Sequence, residues 1–455
     1  MSRETCDQLR DYLFDQTEAR GRGGGPPDCV HLDDLTTEGT QNTEYTNPFD
    51  WFGLHAQDTR SPDKNVSGVQ IDGYFSNEPS TTTLAPGNPY GKRDNKRDSV
   101  YRYDAQFVIR FSDPEHWKNR LVITAAPGLR GQYANDHIIA DHVLQKGCAF
   151  ASTDKGNSGL RFYGADRKPG DAVAEWHKRI EQLARVVKDI AKAYYGEEPE
   201  YTYITGCSNA GYLTRYALEN HLDLYDGGVD WQGPLWTDPE KPLSDPEDKG
   251  PNLLTFLPQA LKYYPHYPLR MARNAMIKAG FEPDQDFLWE YYYNIYWNST
   301  ERVYREEFDP YYPGAPADYN YADRINPEKN PQAEEIKNAV ASVSLSGDIG
   351  KPLITLHGKL DALLPITQTS DRYAQLVKDA GRSSLHRYYK IEGGTHVDSI
   401  YDQYPNELRP ILPCYRAAFD RLVEWVEDKT PPPDNQTIPK LTRGDVVNSC
   451  LELER

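Results

Sequence analysis

The hexapeptide Gly206-Cys207-Ser208-Asn209-Ala210-Gly211 sets a serine between small residues two positions before it and two after. A serine hydroxyl is a weak nucleophile until a sharp turn exposes it beside a base. Small residues at those offsets let a strand and a helix come close enough to make that turn. Serine also caps ordinary helices, so the motif needs partners. Two follow in chain order. In His357-Gly358-Lys359-Leu360-Asp361, an apolar run delivers an acid at its end, where an open parallel sheet builds its sites. In Glu392-Gly393-Gly394-Thr395-His396, two glycines free the backbone so that an imidazole can turn back toward a nucleophile. Ser208 as nucleophile, His396 as base and Asp361 as the acid that orients it form a catalytic triad. Asp230, at the end of an earlier strand, is the reserve for the acid.

Acyl transfer through such a triad needs two N–H donors for the developing oxyanion. One is expected from Asn209, the residue after the nucleophile. The other is expected from Pro127-Gly128-Leu129-Arg130, at Leu129 or Gly128. The stretch 154–159 ends the next strand on the same sheet edge. Asp154 and Lys155 there are candidates for lining the substrate pocket, and a solvated loop explains the stretch equally well.

The elements that must position these residues alternate. Short apolar runs at 121–126, 148–153, 201–205, 228–232, 352–357 and 386–391 read as buried parallel strands. Helices are expected at 135–146, 172–195, 367–380 and 413–427. In the second of these, Trp176, Ile180, Leu183, Val187 and Ile190 recur at spacings of three and four. Alternation of this kind gives a mostly parallel sheet with helices on both faces. It stops at 233–345, too long a stretch for a loop, which reads as an inserted cap.

Within 263–321, 17 of 59 residues are aromatic, against 12% for the whole chain. Trp289 and Tyr293 are candidates for a cleft that takes a flat acyl group, with a small cap core made of aromatics as the other explanation. The expected division is 1–100 as an N-terminal extension with β segments near 69–75 and 101–111, 101–232 with 346–430 as the catalytic domain, 233–345 as the cap, and 431–455 as a tail. Residues 21–27 read as a flexible link.

A formal net charge of −18 with no basic stripe argues against nucleic acid as a partner, and no apolar run of eighteen residues suits a membrane. The N-terminus shows no secretory pattern, and six cysteines are few for 455 residues. The cytoplasm is the expected compartment, with a secreted mature form as the other possibility. Sequons at Asn65, Asn298 and Asn435 match what chance gives.

These residues together resemble two groups of α/β-hydrolase esterases. The stretch 146–156 and the Ser208-Asn209 turn are similar to the D-3-hydroxybutyrate oligomer hydrolases. The region from Phe308-Asp309-Pro310-Tyr311 through Tyr319 and Tyr321 to His357-Gly358 is similar to the tannase and feruloyl esterase group. In that second group a cysteine beside the nucleophile pairs with one after the histidine. Cys207 is present here, but Val397 follows His396. The resemblance implies the α/β-hydrolase fold and a small-molecule ester as substrate; no calcium-binding lid pattern is clear, and neither cofactor nor metal is expected. The same triad also serves C–C bond hydrolases and peptidases, and a catalytically silent binding protein is the reading outside enzymes.

Overall fold

The computed structural model describes residues 3–21, 24–41, 46–60, 63–75, 105–156, 168–241, 252–441 and 443–454. The sequence-predicted strand residues 101–104, the link residues Arg22-Gly23 and the loop residues 157–159 lie outside the described residues. The chain forms two units, Met1–Asp166 with Glu175–Gly228, and Arg167–Ala174 with Val229–Arg455.

The first unit holds strands β1 (Ala19–Arg20), β2 (Asp28–Leu32), β3 (Gly68–Phe75), β4 (Ala105–Ser112), β5 (Arg120–Ala125), β6 (Cys148–Thr153) and β7 (Tyr201–Cys207). Their order is β1-β3-β4-β6-β5-β7, with β2 also on β3. The strands β6, β5 and β7 are parallel, joined by helical crossovers. The pairs β3–β4 and β4–β6 are antiparallel. Every residue of β6 is buried, as a strand covered on both faces requires. The helix Asp171–Tyr195 turns Trp176, Ile180, Leu183, Val187 and Ile190 inward, all with no exposed surface.

The predicted helix at 135–146 has a wider first turn. Asn135 O accepts from both Ile139 N (2.8 Å) and Ala140 N (3.0 Å), giving a π-turn Asp136–Ala140 before the α-helix Asp141–Gln145. The N-terminal region contributes β1, β2, β3 and a helix, Arg3–Gln16, and a disulfide joins Cys6 to Cys29.

Strand β8 (Gly227–Trp231) carries the chain into the second unit, where β9 (Leu353–Gly358), β10 (His386–Ile391) and β11 (Gln436–Ile438) follow it in sheet order. The registers of β9–β10 and β10–β11 are parallel. Residues 431–455, expected as a tail, supply β11, and the disulfide Cys414–Cys450 pins their end to the helix Leu412–Glu427. This was hidden in the sequence because β11 is three residues long.

Between β8 and β9 the regular elements among the described residues are helices, including Leu253–Tyr263, Arg270–Lys278, Asn298–Phe308 and Ala333–Ala341. Aromatic rings make much of their core: Trp297 packs 5.3 Å from Phe281, and Trp236 4.3 Å from Phe308. No helix among the described residues is long and apolar enough to cross a membrane.

Candidate functional site

Ser208 ends β7 and starts the helix Asn209–Asn220, with φ 57° and ψ −120°. Side-chain-bearing residues seldom adopt this conformation, and it persists only where the surroundings enforce it. Here the flanking small residues do so. A Cβ on Gly206 would lie 2.2 Å from the Ala210 Cβ, so neither position tolerates anything larger. Ser208 is 9% exposed. Asn209 is the first residue of the helix, where amides lack intrahelical acceptors and the dipole favours negative charge.

The loop after β5 is fastened at three points. Lys155 Nζ donates to the Ala126 carbonyl (2.5 Å), and Asn209 Nδ2 donates to the Gly128 carbonyl (3.2 Å). Arg130 Nη1 donates to the carbonyls of Asp50 (2.6 Å) and Phe52 (2.9 Å). The Arg130 amide is taken by the Pro127 carbonyl. Gly128 has φ 51°, and a Cβ there would meet open space.

In the second unit the acid and the imidazole meet. Asp361 Oδ2 accepts from His396 Nδ1 at 2.7 Å, and its Oδ1 accepts from the amides of Leu363 (2.8 Å) and Leu364 (2.9 Å). With Nδ1 as donor, His396 has Nε2 as its basic nitrogen. Burial alone would raise the Asp361 carboxyl; His396 and His357 outweigh it and hold the group well below the usual carboxylate range. The two loops approach closely because both carry glycine. A Cβ on Gly358 would sit 2.4 Å from the Gly394 carbonyl. Asp230 is turned elsewhere, its Oδ1 accepting from the Gly233 amide (2.8 Å).

Three residues around this pair escaped sequence reasoning. His357 is fully buried 3.4 Å from Asp361 Oδ2, with its Nε2 on the Leu364 carbonyl (2.9 Å). Trp297 Nε1 donates to the carbonyl of Ala362 (2.7 Å), and the Tyr292 hydroxyl bonds the backbone of His396. His357 was visible in the motif as the strand residue four before the acid. The two aromatics gave no signal, because nothing local distinguishes them from their neighbours in 289–297.

The predicted substrate-lining residues are mostly buried. Trp289 has no exposed surface and packs edge-on to Tyr267 (5.4 Å) and Phe281 (6.3 Å), so it is a core residue. Tyr293 is half-buried against Tyr264 (4.7 Å). Asp154 is fully buried and shapes its own turn, its Oδ1 accepting from the amides of Gln106 (2.9 Å) and Gly156 (2.8 Å). Lys155 is likewise buried, its Nζ 5.5 Å from the Trp176 ring, and burial pulls its pKa down to about 7. Side chains with no exposed surface cannot face a substrate, and sequence alone does not separate a pocket-lining turn from one tucked beneath it.

No cluster of three or more His, Cys, Asp or Glu able to hold a metal occurs among the described residues. Cys207 and Cys148 are buried and form no disulfide. The cysteine beside Ser208 therefore makes no disulfide to the histidine loop.

The family model for 3HB-oligomer hydrolase (3HBOH) matches residues 320–453, and that for tannase and feruloyl esterase matches residues 97–230. The two matches thus fall on the opposite segments to those the motifs suggested, 3HB-oligomer hydrolase on 320–453 and tannase on 97–230. A D-(-)-3-hydroxybutyrate oligomer hydrolase of Azoarcus sp. (strain BH72) is 31% identical over 129 residues, 27% of this chain and 18% of the relative's length. Among solved structures, feruloyl esterase B from Aspergillus oryzae aligns over 94% of this chain and 91% of its own, with a TM-score of 0.55 and 13% identity. An esterase from Aspergillus oryzae aligns over 94% and 90%, with a TM-score of 0.50 and 13% identity. The chain has the α/β-hydrolase fold, with resemblance to 3HB-oligomer hydrolases over 320–453 and to the tannase and feruloyl esterase group over 97–230.

Proposed function

We propose that this chain is a serine hydrolase of carboxylic esters, with Ser208, His396 and Asp361 as its catalytic triad. The observation that carries this reading is the Asp361–His396 hydrogen bond at 2.7 Å, with both groups buried in loops that follow parallel strands. The strained turn at Ser208 is the second support.

In this mechanism Ser208 Oγ attacks the ester carbonyl and passes its proton to His396 Nε2. Asp361 stabilises the imidazolium and keeps Nδ1 protonated. The amide of Asn209, with that of Leu129 or Gly128, holds the oxyanion. His396 then protonates the leaving alcohol, and a water activated by the same nitrogen releases the acyl group from Ser208. These steps need no cofactor.

Residues 233–345 act as the cap that selects the substrate, a hydroxyacid oligomer or an aromatic ester. The half-buried tyrosines near 293 are better placed for this than Trp289. The two disulfides weigh against the cytoplasm, where such pairs stay reduced, and favour an oxidising compartment.

The test is a panel of esters: 3-hydroxybutyrate dimers and trimers, aryl acetates, hydroxycinnamates and gallates, each with a burst measurement for the acyl-enzyme. The expected result is turnover of at least one class with a burst of one equivalent, absent from Ser208→Ala. Turnover retained by folded Ser208→Ala would remove the assignment.

A further inference from the structure

Gln232 follows β8, is fully buried and has φ 57°. Backbone strain at a residue that is not glycine calls for something that holds it there. Its main-chain amide donates to the Leu356 carbonyl (2.9 Å), fixing the residue against β9. Its side chain then makes three bonds. Nε2 donates to the carbonyls of Thr395 (3.0 Å) and His396 (2.7 Å), and Oε1 accepts from the Gly358 amide (2.7 Å). One carboxamide thus joins the end of β9, three residues before Asp361, to the backbone of His396 itself.

We infer that Gln232 is a positioning residue for the catalytic base, an inference that rests on the esterase reading. Its two donors and one acceptor match three backbone groups, the carbonyls of Thr395 and His396 and the amide of Gly358. The Asp361 bond holds the imidazole at Nδ1, and the ring also moves with its backbone. Gln232 holds that backbone, so the two bonds together set where Nε2 points. The left-handed φ aims the side chain across the sheet edge, and the strain is the cost of that aim. Nothing in the local sequence Asp230-Trp231-Gln232-Gly233 marks such a role, because all three acceptors and donors lie 126 or more residues away.

The test uses Gln232→Glu and Gln232→Asn in the full chain. Glutamate keeps the acceptor for Gly358 but turns an oxygen on two carbonyls. Asparagine accepts the left-handed backbone yet is one methylene too short to span the gap. Each variant should lower kcat on the best ester by roughly 10- to 100-fold with KM little changed, as expected for a misplaced catalytic group.

The proton NMR resonance of the Asp361–His396 hydrogen bond, far downfield in the wild type, should shift or broaden in both variants. That signal reads the imidazole independently of turnover. If the resonance changes while even the wild type hydrolyses no ester, the positioning role stands and the esterase reading fails. Unchanged resonance and kcat in either folded variant, or a kcat loss that only follows lost melting temperature, overturns the inference.

Discussion

At the end of β7 the strained residue is Ser208 itself, set between the closely approaching Gly206 and Ala210 at the start of its helix. In the second unit the strain sits on Gln232, and the histidine is free of it, carried on a loop where Gly393 takes the positive φ. The first arrangement centres on six consecutive residues, 206–211, with Asn209 Nδ2 also bonded to the Gly128 carbonyl. The second is assembled from β8, β9 and the loops after β9 and β10, with further bonds from Tyr292 and Trp297. A nucleophile needs only to project, whereas a base must be oriented in two directions at once, which one turn of chain cannot do.

That contrast can be broken at its centre by Asp361→Asn. The variant keeps the side-chain shape but favours the wrong imidazole tautomer, and kcat should fall on the order of 10⁴-fold. The same variant carries a stability signature. Asp361 is held below its unfolded pKa, so its contribution is present above about pH 4 and lost as the pH falls toward its native value. The stability gap between wild type and variant should therefore close on acidification from pH 5 toward pH 2. A gap independent of pH would contradict it.

Within the helical region the aromatic residues should divide. Trp289→Ala opens the core and should cost about 3–5 kcal/mol in chemical denaturation, with every ester affected alike. Tyr293→Ala should instead change the ratio of bulky to small ester turnover while the melting temperature holds. Equal losses on all esters from both variants would make the whole run core.

Trp297→Phe keeps the ring but leaves the Ala362 carbonyl without its donor, at a cost of about 1–3 kcal/mol. It should lower kcat as well if the acid loop depends on that bond. Full activity would show that the orientation needs fewer supports than described.

The smallest effect is expected at Lys155. Burial holds its native pKa near 7, below the unfolded value, so the neutral form favours the fold and stability rises with pH between about 7 and 10. Lys155→Met should flatten that slope, seen as a larger gain in melting temperature at pH 6 than at pH 9.

How much of this was legible follows from the same contrast. The strands, the long helix with Trp176 and Ile190, and the Ser208 turn announce themselves through period and spacing over a few residues. Asp361 and His396 were readable because each follows a strand, and chain order did the rest. Gln232, Tyr292 and Trp297 act through bonds to residues distant in sequence, which no local pattern records. β11 is three residues long and shows no alternation. Trp289 and Lys155 are both buried, and the sequence left each open because an aromatic or a lysine in such a segment looks the same whether it faces the pocket or the core.

The most direct test is labelling by a fluorophosphonate, which reacts only with an activated serine. The wild type should be modified at Ser208, identified by peptide mapping, and His396→Ala should react on the order of 10³-fold or more slowly while remaining folded. Modification at another residue, or an unchanged rate in His396→Ala, would contradict the claim that Ser208 and the Asp361–His396 pair work as one catalytic unit.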